Sequence, residues 1–136
     1  MSVGVVIVTH YGLGEEFLQA VRLIVPGAPR FESVAVDPGR SVDELRKAIE
    51  EALARADEGQ GVLVLTDMFG GTPSNLSLSF LGERRVEVVT GLNLPMLIKL
   101  AEHPREGPLE ELAALIKSYG QRNIRVASEL LPDGER

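Results

Sequence analysis

The chain alternates between short apolar runs and longer amphipathic stretches from its start to its end. Val3–Thr9 and Gly61–Thr66 are unbroken apolar runs, as expected of central strands that are covered on both faces. Phe31–Val36 and Arg85–Thr90 are further runs that end at turn-forming residues, and they predict two more strands. Asn123–Ala127 alternates polar and apolar positions, which is typical of an edge strand with one exposed face.

Segments with helical periodicity separate the predicted strands. Ser41 and Glu44 form a predicted capping box, in which the Ser41 hydroxyl caps the Glu44 amide. Thr72 is the predicted N-cap of the third helix, with Pro73 at its first position. The predicted helices are Glu15–Ile24, the helix that Ser41 opens and whose apolar face ends at Ala56, Pro73–Leu81, Leu94–Glu102 and Leu109–Tyr119.

This alternation predicts an α/β fold with a doubly wound, mostly parallel sheet and helices on both of its faces. No internal repeat, linker or low-complexity segment interrupts the pattern. We therefore expect a single domain over residues 1–131, followed by a polar tail over residues 132–136.

Composition narrows the classes of function. The 136 residues are 44% hydrophobic and 25% charged, an ordinary globular composition, and the net charge is −6. No block of Lys or Arg is present, so we expect no nucleic-acid partner. The absence of cysteine excludes disulfides and thiolate chemistry. No apolar stretch reaches the roughly 20 residues of a membrane span, and no signal-peptide pattern is present, so a cytoplasmic protein is expected.

Polar residues that could take part in catalysis or ligand binding cluster where three of the predicted strands end. Thr9 and His10 close the first strand, Asp67 follows the third, and Gly91–Asn93 follow the fourth. Parallel strands place their carboxyl ends at one edge of a sheet, where open α/β sheets bind ligands. If these three strands are neighbours, their loops border one crevice, and a histidine and an aspartate could face each other across it.

His10 is the candidate nucleophile of this crevice, because imidazole presents a free nitrogen near neutral pH. Asp67 can accept a hydrogen bond from one ring nitrogen, which fixes the tautomer and leaves the other lone pair free. Gly70 and Gly71 allow backbone amides to turn toward a ligand, and a helix opens behind them at Thr72. Free amides and the helix dipole together suit a phosphate group.

The sequence lacks the motifs of two common nucleotide-binding classes, the P-loop and the dinucleotide-binding fold. There is no G-x-x-x-x-G-K-[ST] segment, and no G-x-G-x-x-G follows the first strand. One histidine and one aspartate are fewer ligands than protein metal sites usually have, and we expect neither a metal nor a cofactor. Structural roles for the same residues also remain open: His10 as a satisfied strand-end group, Asp67 as a turn cap and Gly70–Thr72 as an ordinary tight loop.

These residues resemble the IIA component of the mannose family of the bacterial phosphoenolpyruvate-dependent sugar phosphotransferase system. The resemblance covers nearly the whole chain and rests on Val8–His10, Asp67–Asn75 and Gly91–Leu97. The phosphocarrier subunit of dihydroxyacetone kinase also has a strand-end histidine. It usually lacks the Gly-Gly-[Ser/Thr]-Pro run that is present here, so it ranks lower.

The resemblance implies a phosphotransferase in which His10 accepts a phosphoryl group from the phosphocarrier protein HPr. His10 then passes the group to a IIB component for sugar uptake. Asp67 is expected to hydrogen-bond the imidazole, while Gly71 and Thr72 hold the phosphoryl oxygens. The residues expected to line the site are Thr9, Phe69, Gly70 and Asn93.

The resemblance also implies partners beyond HPr. A homodimer is expected, in which the strand around Asn123–Ala127 is exchanged between subunits as an antiparallel edge strand. The chain ends at Arg136 without an Ala/Pro-rich linker or a fused IIB domain, so the IIB component is expected to be a separate polypeptide. Contact with the membrane is expected only indirectly, through transporter components that select the sugar.

Two other classes of function remain open at this point. One is a regulatory protein whose phosphorylation state is read by a partner, without sugar transport. The other is a binding module that holds a small molecule non-covalently in the same crevice.

Overall fold

The computed structural model describes residues 2–133, which form four strands and five α-helices. In chain order these are β1 (Gly4–His10), α1 (Leu13–Ile24), β2 (Glu32–Val36), α2 (Val42–Ala56), β3 (Val62–Thr66), α3 (Gly71–Leu78), β4 (Val86–Thr90), α4 (Leu94–Glu102) and α5 (Leu109–Arg122).

The strands form one parallel sheet in the order β2-β1-β3-β4. Each strand is joined to the next in sequence by a helix, because parallel neighbours need a crossover connection. This confirms the predicted α/β fold. It also confirms that the first, third and fourth strands are neighbours, with Val8 of β1 opposite Thr66 of β3.

Alternate side chains of the central strands build two core clusters, one on each face of the sheet. Ile7 and Leu65 pack on one face with side chains of α1, α4 and α5. Val8 and Val64 pack on the other with side chains of α2 and with Phe80, which follows α3. Because both faces are covered, successive residues of β1 and β3 are buried, which accounts for their unbroken apolar runs.

The helix bounds follow local signals in the sequence. The Ser41 hydroxyl accepts a hydrogen bond from the Glu44 amide at 3.1 Å and caps α2, as predicted. The bounds predicted for α4 are those observed, and the Asn93 side chain caps this helix. Helix α5 runs on to Arg122, beyond its predicted end at Tyr119.

The predicted edge strand over Asn123–Ala127 is not formed among the described residues of the single chain. After α5 the chain is irregular and then makes a short 3-10 helix over Ala127–Leu130. A strand needs a neighbouring strand to take up its backbone hydrogen bonds, and this segment has none. Its exchange with a second subunit stays a prediction.

The expected boundary between domain and tail at residue 131 also stays a prediction, and residues 134–136 of the tail lie outside the described part. Among the helices of residues 2–133, none has the length and apolar character required to cross a membrane.

Candidate active site

His10 and Asp67 meet at the carboxyl edge of the sheet. His10 is the last residue of β1, and Asp67 directly follows β3, which pairs with β1. The Nδ1 atom of His10 lies 2.8 Å from Oδ2 of Asp67. The backbone amide of His10 donates to the same oxygen at 3.0 Å. One carboxylate oxygen therefore fixes both the position and the orientation of the imidazole.

The two side chains differ in their exposure. The His10 side chain is 41% exposed, whereas that of Asp67 is 14% exposed. With Nδ1 occupied by Asp67, the proton on Nδ1 points to the carboxylate, and Nε2 keeps its lone pair. The ring thus presents one nucleophilic nitrogen to an incoming group.

The electrostatics favour an ionised Asp67. Burial raises the pKa of this carboxyl, but hydrogen bonds from the His10 side chain and amide, together with the positive charge that the imidazole carries when it is protonated, outweigh this effect. The pKa of Asp67 consequently lies below its ordinary value, and the residue is a carboxylate at neutral pH.

Two glycines bring the backbone against the reactive side of the imidazole. Gly70 has φ +87° and Gly71 has φ +77°, values at which a Cβ is strongly disfavoured. A Cβ placed on Gly71 would lie 3.2 Å from both Cε1 and Nε2 of His10. A Cβ at Gly71 would therefore crowd the attacking nitrogen, and its φ angle is itself one that favours glycine.

The start of α3 corrects the expectation for Thr72. The helix begins at Gly71, the N-cap position is Gly70, and no side chain caps it. Thr72 therefore lies within the first turn instead of preceding it. Gly70 and Gly71, both at positive φ, form the turn that leads into the helix ahead of the Thr-Pro pair. The amides of Gly71 and Thr72 belong to this first turn, where no helical carbonyl is available to them.

A depression of about 370 Å³ opens beside His10, and Thr72 lies on its wall. The loop that follows β2 contributes much of the lining, since β2 pairs with β1 and Val36 lies opposite His10. The lining residues are His10, Tyr11, Val36, Asp37, Pro38, Arg40, Val42, Leu45 and Thr72.

The remaining predicted site residues have other surroundings. Thr9 is fully buried, and its Oγ1 accepts a hydrogen bond from the Gly14 amide at 2.8 Å, so it shapes the loop instead of lining the depression. The Asn93 side chain caps α4 and donates to the Gly120 carbonyl at 3.0 Å. Phe69 lies on the surface, 74% exposed.

Two residues near His10 are missing from the sequence-based prediction, Tyr11 and Arg40. Tyr11 has φ +46° and is 62% exposed directly after His10. Arg40 lies on the loop after β2, which was not included because only three strand ends were considered. The Asp37-Pro38-Gly39 turn marked that loop, but the position of β2 beside β1 had to be known to connect it with His10.

Within residues 2–133, no group of three or more His, Asp and Glu side chains is placed to hold a metal ion. The chemistry that the site offers is nucleophilic attack by imidazole, with a carboxylate behind the ring and the start of α3 close to Nε2.

Comparisons with known proteins indicate the family of the chain. Residues 4–117 match the family described as the fructose IIA component of the PTS system. The chain is 28% identical over 127 residues to the mannose-specific EIIAB component of Escherichia coli (strain K12), covering 92% of this chain and 39% of the relative. It thus spans about two fifths of the length of that relative.

Two further similarities are of comparable strength. The fructose-specific EIIA component of Bacillus subtilis (strain 168) is 34% identical over 94 residues, covering 68% of this chain and 64% of the relative. The structure of the mannose/sorbose specific IIA subunit from Enterococcus faecalis superposes with a TM-score of 0.85 at 29% identity and covers 98% of both chains. Given the family match over most of its length and this common fold, the chain belongs to the mannose-type IIA components of the sugar phosphotransferase system.

Proposed function

We propose that this chain is a phosphoryl carrier that takes a phosphoryl group from phospho-HPr onto His10 and passes it to a IIB component. The observation that carries the proposal is the 2.8 Å contact between Nδ1 of His10 and Asp67, which leaves Nε2 as the reactive nitrogen. Membership of the IIA family supports a role in a phosphoryl relay for sugar transport.

The transfer begins with an in-line attack of Nε2 on the phosphorus of the donor phosphohistidine. An Nε2–P bond forms as the donor N–P bond breaks, and the donor nitrogen recovers its electron pair. His10 keeps its Nδ1 proton and becomes a phosphorylated imidazolium. Asp67 stabilises that positive charge through the existing hydrogen bond, as the aspartate does in hydrolytic triads.

The phosphoryl oxygens are held, in this proposal, by the start of α3. Gly71 lies against Nε2, and the amides of Gly71 and Thr72 belong to the first turn of the helix. The Thr72 side chain is exposed on the wall of the same depression, so its hydroxyl is available as a further donor. Donors that are in place before the reaction stabilise the charge of the transition state without reorganisation.

The surface around His10 is suited to a protein donor and a protein acceptor. Tyr11, Met68 and Phe69 are 62%, 53% and 74% exposed, and all three lie in the loops that carry His10 and Asp67. Exposed aromatic side chains and methionines are typical of interface centres. We propose that HPr and the IIB component use this surface in turn, and that the relay runs in the cytoplasm and reaches the membrane only through transporter components.

The test is phosphorylation with labelled phosphoenolpyruvate, enzyme I and HPr. The chain has two histidines, His10 and the exposed His103, which provides a matched control. We expect acid-labile, base-stable label on the wild type and on His103→Ala, and none on His10→Ala. Absence of label on the wild type, or equal label on His10→Ala, would refute the proposal.

A further inference from the structure

Arg40 lies on the loop between β2 and α2 and lines the same depression as His10 and Thr72. This loop borders the imidazole because β2 pairs with β1 and Val36 lies opposite His10. The relay described above uses no residue of the loop. We propose that the Arg40 guanidinium binds the phosphoryl group carried by His10, an inference that rests on the proposed function.

The structure holds Arg40 in place through the backbone. Its Nη1 atom donates to the Ala35 carbonyl at 3.2 Å, and its amide donates to the Asp37 carbonyl at 3.2 Å. The turn itself is fixed by the Asp37 carboxylate, which accepts from the Gly39 amide at 2.8 Å. A half-buried guanidinium that is anchored on a fixed turn loses little conformational freedom when it binds an anion.

The negative charges around His10 favour a cation close to the phosphoryl group. Asp37 lines the same depression as His10, and Asp67 holds a negative charge behind the ring, so a phosphoryl group on Nε2 would add to negative charge that is already present. Arg40 is the one lysine or arginine among the residues that line the depression. None of the ion pairs within residues 2–133 involves Arg40, so its charge is not offset by a bonded carboxylate.

The chemistry of the guanidinium fits this role. Its planar set of N–H donors can bind two phosphoryl oxygens at once. The guanidinium makes one hydrogen bond to the Ala35 carbonyl, so its other N–H groups can bind an anion. The competing role for Arg40 is a contact with a carboxylate of the partner protein. That role would change the affinity for the partner, whereas binding of the phosphoryl group changes the ionisation of phosphohistidine itself.

The test compares Arg40→Gln and Arg40→Lys with a control, Arg84→Gln. Arg84 is exposed and precedes β4, so it lies at the amino ends of the strands, whereas His10 lies at their carboxyl ends. Phosphorus NMR follows the pH titration of the phosphoryl group on His10, and rapid-quench kinetics measures its transfer from phospho-HPr. We expect Arg40→Gln to raise the pKa of the phosphoryl group and to slow transfer about tenfold.

Arg40→Lys should keep the titration near that of the wild type, because the charge remains, and Arg84→Gln should leave both readouts unchanged. If Arg40→Gln does not fold by circular dichroism, Arg40→Met takes its place and retains most of the apolar stem. A wild-type titration in the folded neutral variant would overturn the inference. So would a raised KM for phospho-HPr with an unchanged titration, since that result assigns Arg40 to partner docking.

Failure of the proposed function is distinguishable from failure of this inference. If phospho-HPr leaves the wild type unlabelled, the relay is wrong. The small phosphoryl donor phosphoramidate then supplies phosphohistidine for the same titration. A difference between wild type and Arg40→Gln in that titration supports the inference, and identical curves overturn it.

Discussion

At the scale of the residue, the account depends on one contact, between His10 and Asp67. We expect Asp67→Asn to slow phosphoryl transfer on the order of 100-fold, because a neutral amide stabilises the phosphorylated imidazolium less well than a carboxylate. Rapid-quench measurement of transfer from phospho-HPr checks this expectation. A variant that transfers at the wild-type rate would show that Asp67 has no part in the step.

Gly71 provides a second residue-scale prediction, with its neighbour as the control. Both Gly70 and Gly71 have positive φ, and Gly70 has ψ 168° as well, so an alanine at either position costs about 1–3 kcal/mol of backbone strain. Only at Gly71 does the added Cβ meet His10, at 3.2 Å from Nε2, while at Gly70 nothing lies within 4 Å. We expect Gly71→Ala to slow transfer about 10- to 100-fold, because small displacements of a reacting group are costly.

The comparison with Gly70→Ala separates the contact from the strain. Denaturant unfolding should show a loss of stability for both variants, while Gly70→Ala should keep a transfer rate near that of the wild type. Equal transfer rates in both variants would mean that the close approach of Gly71 to His10 does not affect phosphoryl transfer.

At the scale of the element, Asn93 joins two helices. Its side chain accepts from the Met96 amide at 3.2 Å and donates to the buried Gly120 carbonyl at 3.0 Å, whereas Ser41 caps only α2. We expect Ser41→Ala to lower the free energy of unfolding by about 1 kcal/mol and Asn93→Ala by about 2–3 kcal/mol. Urea denaturation measures both losses.

The Asn93→Ala variant also tests whether Asn93 lines the phosphoryl-transfer site, as the sequence analysis expected. No hydrogen bond of Asn93 within the described chain reaches His10, so Asn93→Ala should change the transfer rate by less than about threefold, within the range of indirect effects. A stability loss equal to that of Ser41→Ala, or a large loss of transfer, would show that this assignment of Asn93 is wrong.

The elements were largely predictable because their signals are local. The unbroken apolar runs predicted the buried strands β1 and β3, and Asn93 and Ser41 lie directly before the helices that they cap. The start of α3 was less predictable. The Thr72-Pro73 pair indicates a helix start, but the observed start at Gly71 and the positive φ angles of Gly70 and Gly71 cannot be obtained from residue types alone.

The candidate site was predictable only where it follows strand ends. His10 and Asp67 terminate strands whose adjacency follows from common α/β connectivity, and the structure brings them to 2.8 Å. The approach of Arg40 to the same depression depends on β2 being the outer neighbour of β1. That order is a tertiary property, and neither composition nor periodicity contains it.

At the scale of the whole molecule, residues 2–133 include an exposed apolar segment and an edge strand, β4, that pairs with another strand on one side only. Ile124 and Val126 are 75% and 59% exposed, and β4 lies at one edge of the sheet. An exposed edge strand is a ready template for pairing with another chain. The alternating segment Asn123–Ala127 therefore suits the predicted exchange with a second subunit, which would supply the strand that one chain cannot pair.

We accordingly expect a homodimer in solution. The double substitution Ile124→Asp and Val126→Asp should shift it to monomer, because it places charges in the predicted interface. Leu23→Asp is the control, since Leu23 is 83% exposed on α1 and should leave the dimer intact. Sedimentation velocity distinguishes these species. A wild type that is monomeric over a broad concentration range, or a double variant that stays dimeric, would contradict the expectation.

The most direct test of the account is the identity of the phosphorylated nitrogen. Because Nδ1 of His10 is engaged by Asp67, the phosphoryl group should be on Nε2. Long-range nitrogen–proton correlation spectra of the imidazole, recorded with phosphorus NMR on the phosphorylated protein, distinguish the two isomers. We expect a single phosphohistidine, at Nε2 of His10, in the wild type. Phosphorylation at Nδ1, or at His103, would contradict this expectation.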